Sequence, residues 1–289
     1  MSDARILDRG YRTYDGPRLG PSGAVRSLVR HTSRRVLGIR RPARTKILPV
    51  LAAVIAYLPA IVFVGIAALI PDDRITENFL PTYGEYYGFI TSALIVFAAF
   101  VAPEALCPDR RSGLLGLYLA APLTRTTYVF GKIVSVFWLL LIGTLGPPLL
   151  LLVALTLQDQ GPDGVGGLLL TLLRVVVSGV LVALVFTAVS LGISSLTDRR
   201  ALASAGVLLT IILTGVVTGA LVQGVGLPDW LFAFNLMFAP FELVQRLYGE
   251  PPDPEVYVST PVLVLVIAGW IVLGLGMLWW RYQKVRVRR

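Results

Sequence analysis

Few residues in this sequence are of types that chemistry needs. His31 and Cys107 are the single histidine and the single cysteine, so a disulfide framework, a Cys/His metal centre and a Cys–His catalytic pair are each excluded or very improbable on count alone. A Ser-His-Asp set would have to draw its histidine from a basic amino-terminal tail. The phosphate-cradling loop G-x-x-x-x-G-K-[ST] is absent: its nearest match, Gly131-Lys132, is followed by Ile133 and has Thr126 where the first glycine belongs. No catalytic residue, cofactor or metal is expected on this chain, and any ATP hydrolysis must be done by another one. What remains is one cation inside an apolar run, Arg174; a threonine row, Thr210, Thr214 and Thr218; a G-x-x-x-G pair, Gly215 and Gly219, in "GVVTG"; and a charged, proline-bracketed stretch between apolar runs, "FVAPEALCPDRRSGLLGLYLAAPLTRTTYVFGK", residues 100–132.

The elements that carry these residues are written in composition. With 55% hydrophobic and 15% charged residues and a mean hydropathy of +0.75, the solvent to argue in is lipid. Residues 47–70 contain no charge; at ~1.5 Å per residue they make a helix of about 36 Å, enough for a hydrocarbon core of ~30 Å. The same reasoning gives five further spans near 86–101, 128–157, 168–196, 201–222 and 260–280, the third kinked or divided at Pro147-Pro148. The expectation is an all-α membrane protein: a basic tail over 1–45 and a six-span domain over 46–289.

The cations orient it. Lys and Arg near span ends stay on the cytoplasmic side, and with both termini inside, 23 of the 26 basic residues fall in cytoplasmic segments while 11 of the 17 acids fall in outer loops. The net charge of +9 is thereby explained by topology, and no nucleic-acid partner is expected. The tail carries no apolar core of a secretory signal. In it, Val25, Leu28, Val29, Val36, Leu37 and Ile39 recur at helical spacing between Arg26, Arg30, Arg34, Arg35, Arg40 and Arg41, the pattern of an amphipathic helix in the inner headgroup layer; a disordered basic tail is the alternative. The outer segment 228–250 has the length of two short helices broken at Pro240, either a re-entrant hairpin or a pair lying on the surface.

Within segment 102–127, Asp109, Arg110 and Arg111 precede Leu114, Leu117 and Tyr118 at helical spacing, a short amphipathic element with one face for lipid and one for a partner. The run Glu104, Asp109-Arg110-Arg111, Ser112-Gly113, Pro122-Leu123-Thr124-Arg125, Tyr128 and Gly131-Lys132 resembles the region between the second and third spans of type-2 ABC exporter permeases. Their six spans, cytoplasmic termini, amino-terminal interfacial helix and outer hairpin parallel the features above. The resemblance implies a coupling helix seated on a separate ABC ATPase, with Glu104, Asp109, Arg110, Arg111, Ser112, Gly113, Leu114 and Leu117 at that contact. It also implies ATP and Mg bound on the ATPase and a second permease copy or homologue. Glu104 is equally a helix cap or a plain interfacial carboxylate.

The other candidates each have two readings. Arg174 is a pathway residue, or it snorkels to the outer headgroups or pairs with an outer acid such as Glu242. Gly215 and Gly219 build the dimer interface that the family places on the fifth span, or pack within one protomer. Thr210, Thr214 and Thr218 line a polar route or bond back to their own helix. The few charges in the spans favour an amphiphilic or hydrophobic cargo: drug, lipid or glycan. Two rivals differ in class. An ion-coupled secondary transporter needs Asp, Glu or His near the membrane midplane, and a membrane enzyme or assembly factor for lipid-linked intermediates needs a convergent acid–base or metal cluster at the surface; the sequence offers neither.

Overall fold

A chain segment in lipid has to satisfy its own backbone hydrogen bonds, and a helix does so within one segment. The computed structural model is accordingly helical, without a strand among the described residues, which are 16, 19–43, 46–69, 80–120, 122–252 and 256–284. The helices are α1 (Gly20–Val36), α2 (Ile47–Leu69), α3 (Tyr86–Arg111), α4 (Leu114–Ala120), α5 (Arg125–Leu157), α6 (Gly164–Ser194), α7 (Arg200–Gly219), α8 (Ala239–Tyr248) and α9 (Thr260–Lys284). A π-turn, Ala220–Gly224, extends α7, and a 3-10 turn, Asp229–Phe234, precedes α8. Six of these helices, α2, α3, α5, α6, α7 and α9, are long and apolar enough to cross a membrane. The tail before residue 19, residue 16 excepted, and the basic residues after 284 lie outside the described residues.

Three boundaries differ from expectation. The second span does not stop at 101: α3 runs through Pro103 and Pro108 to Arg111, so Glu104 and Asp109 belong to it rather than to a separate element. Pro108 cannot donate to the carbonyl four residues back, yet that carbonyl, Glu104 O, is held by Arg35 Nη2 at 3.1 Å, and the helix survives because a side chain replaces the missing donor. Second, of the kink or division expected at Pro147-Pro148, the division is not seen: α5 continues through both prolines. Near them the Tyr57 hydroxyl donates to Ile142 O at 3.2 Å, and Gly146 leaves the room Tyr57 needs, since a Cβ there would sit 1.8 Å from the hydroxyl. Third, the outer segment breaks at Asn235–Phe238, and Pro240 opens α8, where a missing N–H costs nothing.

Helix α6 is the hub, packed against α5 on one side and α9 on the other. A Cβ on Gly274 would lie 2.3 Å from Ala188 O, so α9 and α6 touch backbone to backbone, the close approach that small residues allow in membranes. Helix α1 lies across α5 and α3. It buries Leu28, Thr32, Arg35 and Val36, one helical face, and Gly131 of α5 accommodates Leu28. Apolar side chains such as Leu51, Leu169, Leu209, Val216 and Val272 stay exposed on the bundle wall, as a surface solvated by lipid tails would have them. The bundle has a basic end, where α1 packs on α3 and α5 and where the start of α7 meets α3 and the last turns of α9 meet α5, and an acidic end, which carries the 3-10 turn and α8.

Candidate functional site

The sequence brings four charged groups to the last turns of α3. At ~1.5 Å per residue, Asp109 stands about 35 Å along the helix from Tyr86, beyond a ~30 Å hydrocarbon core, and protein rather than water surrounds it. Its side chain is fully buried. Oδ1 meets Arg35 Nη1 of α1 at 2.6 Å, and Oδ2 meets Lys132 Nζ of α5 at 2.7 Å. The Tyr128 hydroxyl donates to Oδ2 at 2.9 Å. Lys132, itself fully buried, donates to Thr32 Oγ1 at 3.0 Å and to Ala105 O at 2.9 Å. Arg35 also donates to Ala105 O at 3.0 Å. Thus the Glu104 carbonyl freed by Pro108, the Ala105 carbonyl, the carboxylate and two cations satisfy one another where water is excluded. Desolvation of such charges costs several kcal/mol each and is offset only if nearly every bond is made. Arg35 Nε alone in this group has no bond among the described residues.

A second layer surrounds the first. Glu104 gives Oε1 to Arg41 at 3.2 Å and Oε2 to Arg200, the first residue of α7, at 2.6 Å. Arg110 donates to Ser195 O and, at 3.2 Å, to Thr197 O, both in the α6–α7 connection. The Tyr128 ring lies 5.7 Å from Tyr118 of α4 and 5.7 Å from Tyr282 of α9, and Arg125 donates to Gln283 O. The end of α3 thereby holds α1, α5, α7 and the α6–α7 connection directly, and α4 and α9 through Tyr128. His31, beside this cluster on α1, has its pKa held below the ordinary histidine value by partial burial and then by the charges of Arg35 and Lys132, against Asp109.

The residues grouped in sequence as a partner contact separate into two sets. Glu104 and Asp109 are buried, and Arg110 is turned onto backbone carbonyls; these side chains bind the protein to itself. Arg111, Ser112, Gly113, Leu114 and Leu117 are exposed, Leu117 at 69%. Gly113, at φ +69°, makes the break between α3 and α4, a conformation glycine adopts without strain. Ser112 Oγ donates to Pro108 O at 2.6 Å, and α5 then opens with a reciprocal Thr124/Thr127 capping box.

Arg174 does not pair with Glu242: the latter is taken by Arg246, four residues on, at 2.7 Å. Arg174 instead donates to Tyr248 O at 3.5 Å, with its guanidinium 5.9 Å from that ring. The threonines do bond back to their own helix, Thr210 to Gly206 O at 2.8 Å, Thr214 to Ile211 O at 2.8 Å and Thr218 to Thr214 O at 2.7 Å. All three also edge an apolar cavity of about 420 Å³ under Leu231 and Phe234 of the 3-10 turn. Gly215 faces Asn235 and Met237 of the same chain, whereas nothing lies within 4 Å of a Cβ placed on Gly219.

Arg35, Arg41, Lys132, Tyr128 and Arg200 are the members that the sequence did not nominate. In the sequence Arg35 and Arg41 belong to the amphipathic pattern of the tail, Tyr128 and Lys132 to the run that carries the family resemblance, and Arg200 to the cations that set topology. One signal was available: Leu28, Thr32, Arg35 and Val36 share a helical face, which put Arg35 on the apolar side of α1 rather than among its headgroup arginines.

No curated protein matches the chain. A family model described as "ABC-2 family transporter protein" matches residues 33–287, from the last turn of α1 past the end of α9, a range that includes Arg35, Glu104, Asp109, Tyr128 and Lys132. The chain belongs to the ABC-2 family of transporter membrane proteins.

Proposed function

We propose that this chain is the permease subunit of an ATP-driven exporter in the cytoplasmic membrane, moving an amphiphilic or hydrophobic cargo by alternating access. The observation that carries the reading is the family match over 33–287. In this reading the basic end faces the cytosol and α4 is the coupling helix, offering Arg111, Leu114 and Leu117 to a separate ATPase that holds ATP and Mg. Helix α1 lies at the inner membrane surface. Six spans make half a pathway, and the open flank of α7 beside Gly219 is where a second copy or homologue would pack. Closure of the ATPase would move α4, and α4 would move α3 through the Tyr118–Tyr128–Asp109 chain of contacts, a rigid-body switch.

The test is co-purification of the tagged chain with an ABC ATPase from its own host. Capture of that ATPase by wild-type protein and its loss with Leu117→Asp/Arg111→Glu, two exposed changes, is the expected result. Absence of any ATPase from the wild-type preparation would refute the reading.

A further inference from the structure

The two carboxylates of the cluster differ in their access to water. Both cations on Asp109 are closed off, with side-chain exposures of 7% for Arg35 and 0% for Lys132. Glu104 is itself buried, but the arginines that share it stand partly in solvent, Arg41 at 37% and Arg200 at 50%. Water can take over the exposed Arg200 guanidinium, and the Glu104 carboxylate that stays behind is still paired by Arg41. Water cannot reach the Asp109 joint without unpacking α1. The two joints also connect different bodies. Asp109 unites α1, α3 and α5, whereas Glu104 and Arg110 tie that unit to the start of α7 and to the α6–α7 connection, where Arg110 meets the uncharged backbone carbonyls of Ser195 and Thr197.

We infer that Glu104 is a releasable clasp and Asp109 a permanent joint, so that α7 and the α6–α7 connection part from the α1–α3–α5 unit when the transporter changes state. Arg200 is the half of the clasp that leaves: it begins the moving helix, whereas Arg41 follows α1 on the fixed side and stays with Glu104. The use of the clasp in transport rests on the exporter reading above; its unequal construction does not.

The test is hydrogen–deuterium exchange of the full chain in lipid nanodiscs. Arg200→Gln is expected to speed exchange over 195–203 by about two- to five-fold, the factor that an exposed pair allows, with 28–36 and 125–132 unchanged, and Arg200→Lys to restore the slow rate. Asp109→Asn is expected to do the reverse, speeding 28–36. Unchanged exchange at 195–203 in Arg200→Gln, or an equal rise in 28–36, would overturn the clasp. If Asp109→Asn does not fold, the Arg200 pair still decides. In the complex with its ATPase, trapping with Mg·ATP and vanadate is expected to speed 195–203 in wild type while 28–36 holds; equal change in both segments, or none, would overturn the role in the cycle. Failure to recover an ATPase refutes the exporter reading and leaves the clasp to the nanodisc result.

Discussion

The two ends of the bundle handle charge in opposite ways. At the basic end, ion pairs link residues far apart in sequence, Arg35 to Asp109, Lys132 to Asp109 and Arg200 to Glu104, and each joins two different elements. At the acidic end, Glu242 and Arg246 pair one turn apart on α8, and Glu85 accepts from the Thr82 backbone at 2.9 Å. The long-range contact there, Thr82 to Glu250, is exposed, and partial desolvation raises the Glu250 pKa. A buried charge whose partners are buried with it, as Arg35 and Lys132 are with Asp109, forces several helices to stay in one arrangement, because any of them leaving strands an ion in a low dielectric; Glu104, shared by two part-exposed arginines, can lose one and stay paired. A charge satisfied within its own turn or by water imposes nothing on its neighbours. The basic end is thus constructed as a joint and the acidic end as a cover.

That contrast is broken most directly at Asp109. Asp109→Ala leaves Arg35 and Lys132 buried without an anion and is expected to cost about 3–5 kcal/mol, read as loss of monodisperse protein or a large fall in melting temperature in detergent. Tyr128→Phe removes one donor to a carboxylate and is expected to cost about 1.5–3 kcal/mol, read in the same melt. At the other end Thr82→Ala removes two exposed bonds, one to Glu250 and one from the Glu85 backbone N–H, with an expected cost of about 0.5–1.5 kcal/mol; a loss there as large as that of Asp109→Ala would erase the distinction. The smallest effect is in pH. Because the folded pKa of His31 lies below its unfolded value near 6.5, the unfolded chain takes up that proton first. Stability is complete above about pH 6.5 and declines as pH falls towards the folded value. His31→Gln should flatten this part of the melting-temperature profile, and an unaltered profile would show that His31 does not sense the cluster.

Much of the architecture was legible because lipid imposes one periodicity and one length. The six apolar runs stood out by the absence of charge, and all six are helices. The boundaries were less legible where charge and proline stood together: Glu104, Pro108 and Asp109 read as the end of a span because side chains from α1 and α5 that sustain the helix are distant in sequence. The same remoteness hid the site. Lys132 and Arg200 are indistinguishable by type from topology-setting cations, and only tertiary packing selects them. The amphipathic run from Leu114 through Leu117 was readable, being local, whereas the break at Gly113, which separates it from Asp109–Arg111, was not read.

The central claim is that Asp109 and Lys132 form one buried joint rather than two independent contacts. A double-mutant cycle on thermal stability, with Asp109→Leu, Lys132→Met and the pair together, tests it. The account predicts strong coupling of about 2 kcal/mol or more between the two positions, the double variant being much less damaged than the sum of the singles. Additivity within about 0.5 kcal/mol would contradict it.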